Sequence, residues 1–78
     1  MYLAIKRVQP LENYKLLLTF ENGEIRQFDM KPFLETGIFK ELKNTQVFNS
    51  VRTSFDSIEW ENSADFDPEI LYQQSTEI

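Results

Sequence analysis

Carboxylates at alternate positions are the groups in this chain nearest to a chemical site. Asp65, Asp67 and Glu69 follow one another at i, i+2 and i+4, and a loop that turned all three inward would offer the oxygen ligands that Mg²⁺ or Ca²⁺ requires. The stretch lacks the roughly 12-residue calcium loop with its central glycine, and Asp67 already has a structural task, described below. The pairs Glu59/Glu61 and Asp65/Asp67 supply an acid and a base on paper. A glycosidase, however, sets its carboxyls about 5–9 Å apart across a cleft, and 78 residues offer little cleft. Ser50, Ser54, Ser57 and Ser63 have no base to activate them, because the chain contains neither His nor Cys. That absence excludes Ser-His-Asp and Cys-His nucleophiles and zinc held by the usual ligands. The expectation is a protein without catalytic residues and without a cofactor.

Two aromatics stand beside these acids. Trp60 is the single tryptophan, followed by Glu61 and the turn-forming Asn62 and Ser63; it suits either a core position or an anchor in a protein interface, where Trp and Tyr are enriched. Tyr14 and Tyr72 read as core aromatics with the hydroxyl at the surface.

The elements that position these residues follow from apolar spacing. Residues 3–8 mix apolar and basic positions and predict a first strand that ends at Gln9-Pro10, since proline removes a ladder donor. In Tyr14-Lys15-Leu16-Leu17-Leu18-Thr19-Phe20 every even position is apolar, the strongest strand signal in the chain. Asn22-Gly23 marks a hairpin. A two-residue loop would set Leu16 opposite Asp29, whereas a three-residue loop of Glu21-Asn22-Gly23 closed by a bulge at Gly23 sets Leu16 opposite Phe28, Tyr14 opposite Met30 and Lys15 opposite Asp29. The bulged loop is preferred, because a slip of one residue would send Phe28 and Met30 to the wrong face.

The period then changes. Lys31-Pro32-Phe33-Leu34 and Ile38-Phe39-x-x-Leu42 predict short helical turns split by Gly37, and Val47-Phe48-x-x-Val51 predicts another behind Thr45 as N-cap. A second hairpin is expected around Asp56, with Val51, Thr53 and Phe55 alternating on one strand and Ile58 and Trp60 on the other. Asp67-Pro68-Glu69 is a helix start, with Asp67 as N-cap, Pro68 in the first turn and Glu69 beside the positive end of the dipole. Residues 73–78 are polar and expected to fray. The fold class is α+β: a small antiparallel sheet of two hairpins plus an N-terminal strand, with short helices including a C-terminal one, forming a single domain over residues 1–78.

Charge divides the chain. Lys and Arg number 8 and Asp and Glu 13, a net −5, with 41% hydrophobic and 14% aromatic residues. All the bases lie in residues 1–52, a net +2, and residues 53–78 carry seven acids and no base, a net −7. An acidic surface repels phosphate backbones and attracts basic proteins. Direct nucleic-acid binding is therefore not expected; Lys6, Arg7, Lys15 and Arg26 lack the interleaved glycine and aromatic motifs of such proteins. No apolar run reaches the ~18 residues of a membrane span, and Lys6 and Arg7 interrupt the start before a signal sequence of the usual length can form. The expected location is the cytoplasm. A chain this short has a modest stability, on the order of 5 kcal/mol.

The succession from Tyr14 to Glu24, then Phe28-Asp29-Met30, Gly37-Ile38-Phe39-Lys40-Glu41-Leu42, Phe48-x-x-Val51, Ile58-Glu59-Trp60 and Ala64-Asp65-Phe66-Asp67-Pro68-Glu69-Ile70-Leu71-Tyr72 resembles the bacterial and archaeal domain of unknown function 2442. The likeness runs from about Tyr2 to Gln73. Its most specific part is the Trp-to-Tyr block, in which the family pattern has Pro where this chain has Glu61 and Gly where it has Ser63. The resemblance implies a small α+β fold and a role as the antitoxin half of a two-gene toxin–antitoxin pair, the neighbouring gene resembling domain-of-unknown-function family 4160. It assigns no catalytic residue.

Together these readings lead to a non-catalytic protein-binding module that lays its acidic C-terminal third over a small basic toxin. The expected partner-binding residues are Trp60, Glu61, Asp65, Asp67, Glu69 and Tyr72. The alternative is a ligand- or divalent-metal-sensing domain built on Asp65, Asp67 and Glu69. Homo-oligomerisation stays open.

Overall fold

The alternation of Leu16, Leu18 and Phe20 builds the centre of the molecule. In the computed structural model, which describes residues 3–78, these three side chains are fully buried on strand β2 (Lys15–Phe20). β2 pairs with β3 (Ile25–Asp29) in the register expected for the bulged turn, Leu16 opposite Phe28 and Lys15 opposite Asp29. Backbone bonds between Phe20 and Glu24 and from Gly23 N–H to Phe20 O, each 2.9 Å, close the three-residue loop. Gly23 sits at φ 89°, a conformation that costs glycine nothing.

Strand β1 (Ile5–Leu11) lies on the other side of β2 and runs past Pro10, which pairs with Leu16. The expected end at Gln9-Pro10 is thus corrected. β1 is the outer strand of the sheet, where alternate N–H groups face solvent, so a proline there costs no ladder bond. The chain turns from β1 to β2 through Asn13 and Tyr14, both left-handed at φ 62° and 59°.

The inner sheet face is covered by short helical segments. Residues 31–33 and 37–43 form 3-10 turns, and α1 (Thr45–Phe48) follows. The α1 cap is Asn44, whose side chain accepts from Gln46 N–H at 2.9 Å; Thr45, the expected cap, is the first helical residue. Leu34, Leu42 and Phe48 from these segments join Leu16, Leu18, Phe28 and Met30 in one apolar cluster.

Three further strands form a second antiparallel sheet: β4 (Arg52–Ser54), β5 (Ser57–Glu59) and β6 (Asp65–Phe66). The architecture is α+β as expected, its two hairpins building two small sheets. Ile5 N–H donates to Asp56 O at 2.9 Å across them. Phe55 does not alternate with Val51 and Thr53 on a strand; it occupies the β4–β5 turn and is fully solvent-exposed. The strands are one residue too short to include it.

Helix α2 (Pro68–Gln74) begins as the sequence dictates, with the Asp67 carboxylate accepting from Glu69 N–H at 2.8 Å. Residues beyond it are not frayed. β7 (Thr76–Glu77) adds to the free edge of β3, Gln27 opposite Thr76 and Arg26 opposite Glu77. The polar composition of this tail hid the strand, because a short edge strand needs backbone partners rather than an apolar face.

Candidate functional site

The C-terminal third carries both acidic side chains and the single tryptophan, and the fold separates the two. Trp60 is completely buried, with its indole Nε1–H donating to Phe48 O at 3.1 Å. Phe39 approaches its ring edge-on at 6.3 Å between centroids. As an exposed anchor for a partner Trp60 is therefore corrected: strand alternation sends it inward with Ile58, and its one polar atom is satisfied there.

Tyr72 is half-buried and committed to the protein's own interior contacts. Its hydroxyl donates to Glu24 Oε2 at 2.8 Å, and its ring packs edge-on against Phe20 at 5.1 Å. The Arg26 guanidinium lies 4.3 Å above that ring and contacts Glu24 Oε1 at 3.3 Å. This knot fastens α2 to the central sheet. The Tyr72 hydroxyl, aided by the Asn22 amide, holds the Glu24 carboxyl below the ordinary carboxylate range, and the same contact pushes the Tyr72 phenol up.

The carboxylates face water. Glu61, Asp65, Asp67 and Glu69 are all exposed. They do not converge: Glu61 lies in the turn after Trp60, Asp65 sits on β6 opposite Glu59, and Asp67 caps α2. Among the described residues no three acidic side chains are grouped so that they could hold a metal ion.

Four of the eight basic side chains pair with other acids among the described residues. Arg26 pairs with Glu24, Lys31 with Asp29, Lys43 with Glu35, and Arg52 with Glu59. Among the described residues Glu61, Asp65, Asp67, Glu69 and Glu77 have no ion-pair partner. The acidity of these five residues is thus an outward field rather than half of an internal network. Exposed apolar side chains lie along the same part of the chain, Phe55 at the β4–β5 turn and Ile70 on α2.

Sequence reasoning missed Phe55. The available signal was a conflict: an aromatic where a two-residue hairpin turn favours Asn-Gly or Asp-Gly. A depression of about 250 Å³ opens beside it on the second sheet, walled by Glu59, Asp65 and Phe66. A wider cleft of about 500 Å³ lies between the β1–β2 turn and α1. There the Tyr14 hydroxyl donates to Lys43 O, and Glu12 is the only charged group in its wall. No helix of the described residues is long and apolar enough to cross a membrane.

Comparison with known proteins adds one positive finding. A family model described as a protein of unknown function (DUF2442) matches residues 5–77. No curated protein and no solved structure matches.

Proposed function

This chain belongs to the DUF2442 family, and from that premise we propose that it is a non-catalytic protein-binding module, an antitoxin that neutralises a small basic toxin encoded by a neighbouring gene. The observation that carries the reading is the set of exposed carboxylates without ion-pair partners, Glu61, Asp65, Asp67 and Glu69, while Arg26, Lys31, Lys43 and Arg52 pair with other acids. Surface charge of one sign speeds encounter with an oppositely charged protein and repels nucleic acid. Buried Trp60 and knotted Tyr72 support the binding surface from beneath, and exposed Phe55 and Ile70 supply the apolar contact that charge alone lacks. The absence of His and Cys leaves no side chain with an ordinary pKa near neutrality, in keeping with a protein that acts by occupying a surface. In this reading the module works in the cytoplasm without cofactor, membrane or direct nucleic-acid contact.

Coexpression with the product of the neighbouring gene tests it. The expected results are growth rescue, a copurifying complex, and an association rate that falls about tenfold or more as salt is raised from low to physiological strength and beyond. A chain combining Glu61→Gln, Asp65→Asn, Asp67→Asn and Glu69→Gln keeps the helix cap, because Asn caps as well as Asp, and is expected to lose most of that acceleration. Failure to form any complex at low salt overturns the proposal.

A further inference from the structure

Phe55 is 99% exposed, and together with Asp56 it forms the turn between β4 and β5 with φ of 47° and 72°. A left-handed backbone at both central positions suits the twist of a tight hairpin, but it is unfavourable for a bulky aromatic, and asparagine or glycine would serve the turn better. The ring is lost to the core and makes no aromatic pair among the described residues. Nothing in the folding of the hairpin calls for it.

The chemistry beside the ring is anionic. Glu59 on β5 stands directly opposite Asp65 on β6, and like charges facing each other across a sheet disfavour the pairing. Both carboxylates wall the 250 Å³ depression next to Phe55, with Ser57 and Phe66. On the other side of Glu59, Arg52 brings one guanidinium to 3.5 Å from Oε1. That contact is exposed and weak, and it is one cation for the two carboxylates.

We infer that this end of the β4–β5 hairpin is the docking point for a basic protein partner: an Arg or Lys of the partner enters the depression between Glu59 and Asp65, its stem and charge lying against the Phe55 ring. A cation within about 6 Å of an aromatic face is attracted to it, and here two carboxylates add to that attraction. The inference rests on the proposed function in taking the partner to be basic. Charge decides among occupants. A nucleic acid or an anionic lipid surface meets Asp56, Glu59 and Asp65 and is repelled. A second copy docking through the same patch about a two-fold axis brings the same acids face to face.

The test titrates the isotope-labelled full chain with a peptide of alternating Arg and Leu, and with the same peptide carrying citrulline, which keeps the shape and removes the charge. The arginine peptide is expected to shift the amides of residues 54–59 and 65–66 saturably, and the citrulline peptide to leave them in place. Phe55→Asn suits the left-handed turn, so its melting temperature stays equal or rises, while the affinity for the arginine peptide falls about fivefold or more. Asp65→Asn is expected to weaken it comparably. Shifts centred on Glu61, Asp67 and Glu69, the absence of saturable shifts, or an unchanged affinity in Phe55→Asn overturns the assignment. Copurification separates this surface from the broader reading. Capture of the neighbouring gene product that Phe55→Asn leaves intact removes the surface and keeps the antitoxin reading. Peptide binding at the hairpin by a chain that never captures that product removes the antitoxin reading and keeps the surface.

Discussion

The same local sequence closes two hairpins at opposite ends of the chain. Phe20-Glu21-Asn22-Gly23-Glu24 and Trp60-Glu61-Asn62-Ser63-Ala64 both run aromatic, Glu, Asn, then a residue at left-handed φ, 89° for Gly23 and 71° for Ser63. Their bonds correspond one to one. Gly23 N–H reaches Phe20 O at 2.9 Å and Ser63 N–H reaches Trp60 O at 3.0 Å; Phe20 and Trp60 each donate to the carbonyl four residues on at 2.9 Å. The side-chain oxygens of Asn22 and Asn62 accept from Glu24 N–H at 3.0 Å and Ala64 N–H at 3.1 Å. What differs is where the rest of each turn is fastened. The Asn22 amide stays local, on the Glu24 carboxylate. The Asn62 amide crosses to Glu41 Oε1 at 3.0 Å and Ile38 O at 3.4 Å, pinning the second turn to the helical segment over the core. The Asn22 side chain bonds only within the first turn, and the second turn tolerates a strained serine because its asparagine is held by distant groups.

The aromatic that opens each turn tests the largest part of this contrast. Trp60→Ala removes a fully buried ring and its bond to Phe48 O, at a cost of about 3–5 kcal/mol. Against a total stability on the order of 5 kcal/mol, that variant is expected to keep only about 0–2 kcal/mol and to unfold well below the parent's melting temperature by circular dichroism. Trp60→Phe keeps most of the volume, and its expected cost is about 1–2 kcal/mol, the buried hydrogen bond included. A Trp60→Phe protein as unstable as Trp60→Ala would show that the indole bond, not the packing, holds the turn.

The two asparagines come next. Asn22→Ala removes two exposed bonds, both to Glu24, whose partners are free to find water, an expected loss of about 0.5–1 kcal/mol in urea unfolding. Asn62→Ala removes the equivalent bond and the two crossings to residues 38 and 41, an expected loss of about 1–2 kcal/mol. Equal losses would mean that the long-range contacts contribute nothing and that the turns are energetically alike.

These contrasts bear on what the sequence could disclose. Asn22-Gly23 is a turn signal by itself, and with the alternation of Leu16, Leu18 and Phe20 it led to the observed register to the residue. Asp67-Pro68-Glu69 likewise announced α2, because a cap, a proline and a dipole contact are all local. Ser63 at a left-handed position, Pro10 inside β1 and the β7 strand were not legible, since each depends on neighbours distant in sequence: the Asn62 crossings, the sheet edge, and the free side of β3. The candidate site divides along the same line. That the C-terminal third is acidic and outward-facing follows from composition, whereas the burial of Trp60 and the exposure of Phe55 follow from a strand register set by Ile58 opposite Phe66 and Ser54 opposite Ser57.

At the left-handed positions the turns are expected to respond in opposite directions. A Cβ at Gly23 would meet no atom within 4 Å, so Gly23→Ala costs only the backbone preference, about 1 kcal/mol. Ser63→Gly relieves that preference and is expected to leave stability unchanged or raise it by up to about 0.5 kcal/mol, the gain being offset by the greater freedom of the unfolded chain. A marked destabilisation by Ser63→Gly, read as a lower melting temperature, would assign the serine side chain a contact that the hydrogen-bond pattern does not contain.

The smallest expected difference is in pH response. The residue after Gly23 is Glu24, and the one after Ser63 is Ala64, so only the first turn carries a titrating group at that point. Hydrogen bonding from Tyr72 and Asn22 lowers the Glu24 pKa in the folded chain from its ordinary 4.5. A carboxyl with a depressed folded pKa contributes stability that is fully present above the unfolded value and is lost as pH falls through the folded one. The first turn and the α2 knot therefore weaken on acidification below about 4.5. Tyr72→Phe removes the largest cause of the shift. Its Glu24 carboxyl is expected to titrate closer to the ordinary value in an NMR titration, and its melting temperature to depend less steeply on pH on the acid side. If Glu24 titrates at the same midpoint with and without the Tyr72 hydroxyl, the hydrogen bond joining α2 to the first turn does not hold the carboxylate in its charged form, and the two turns do not differ in this respect.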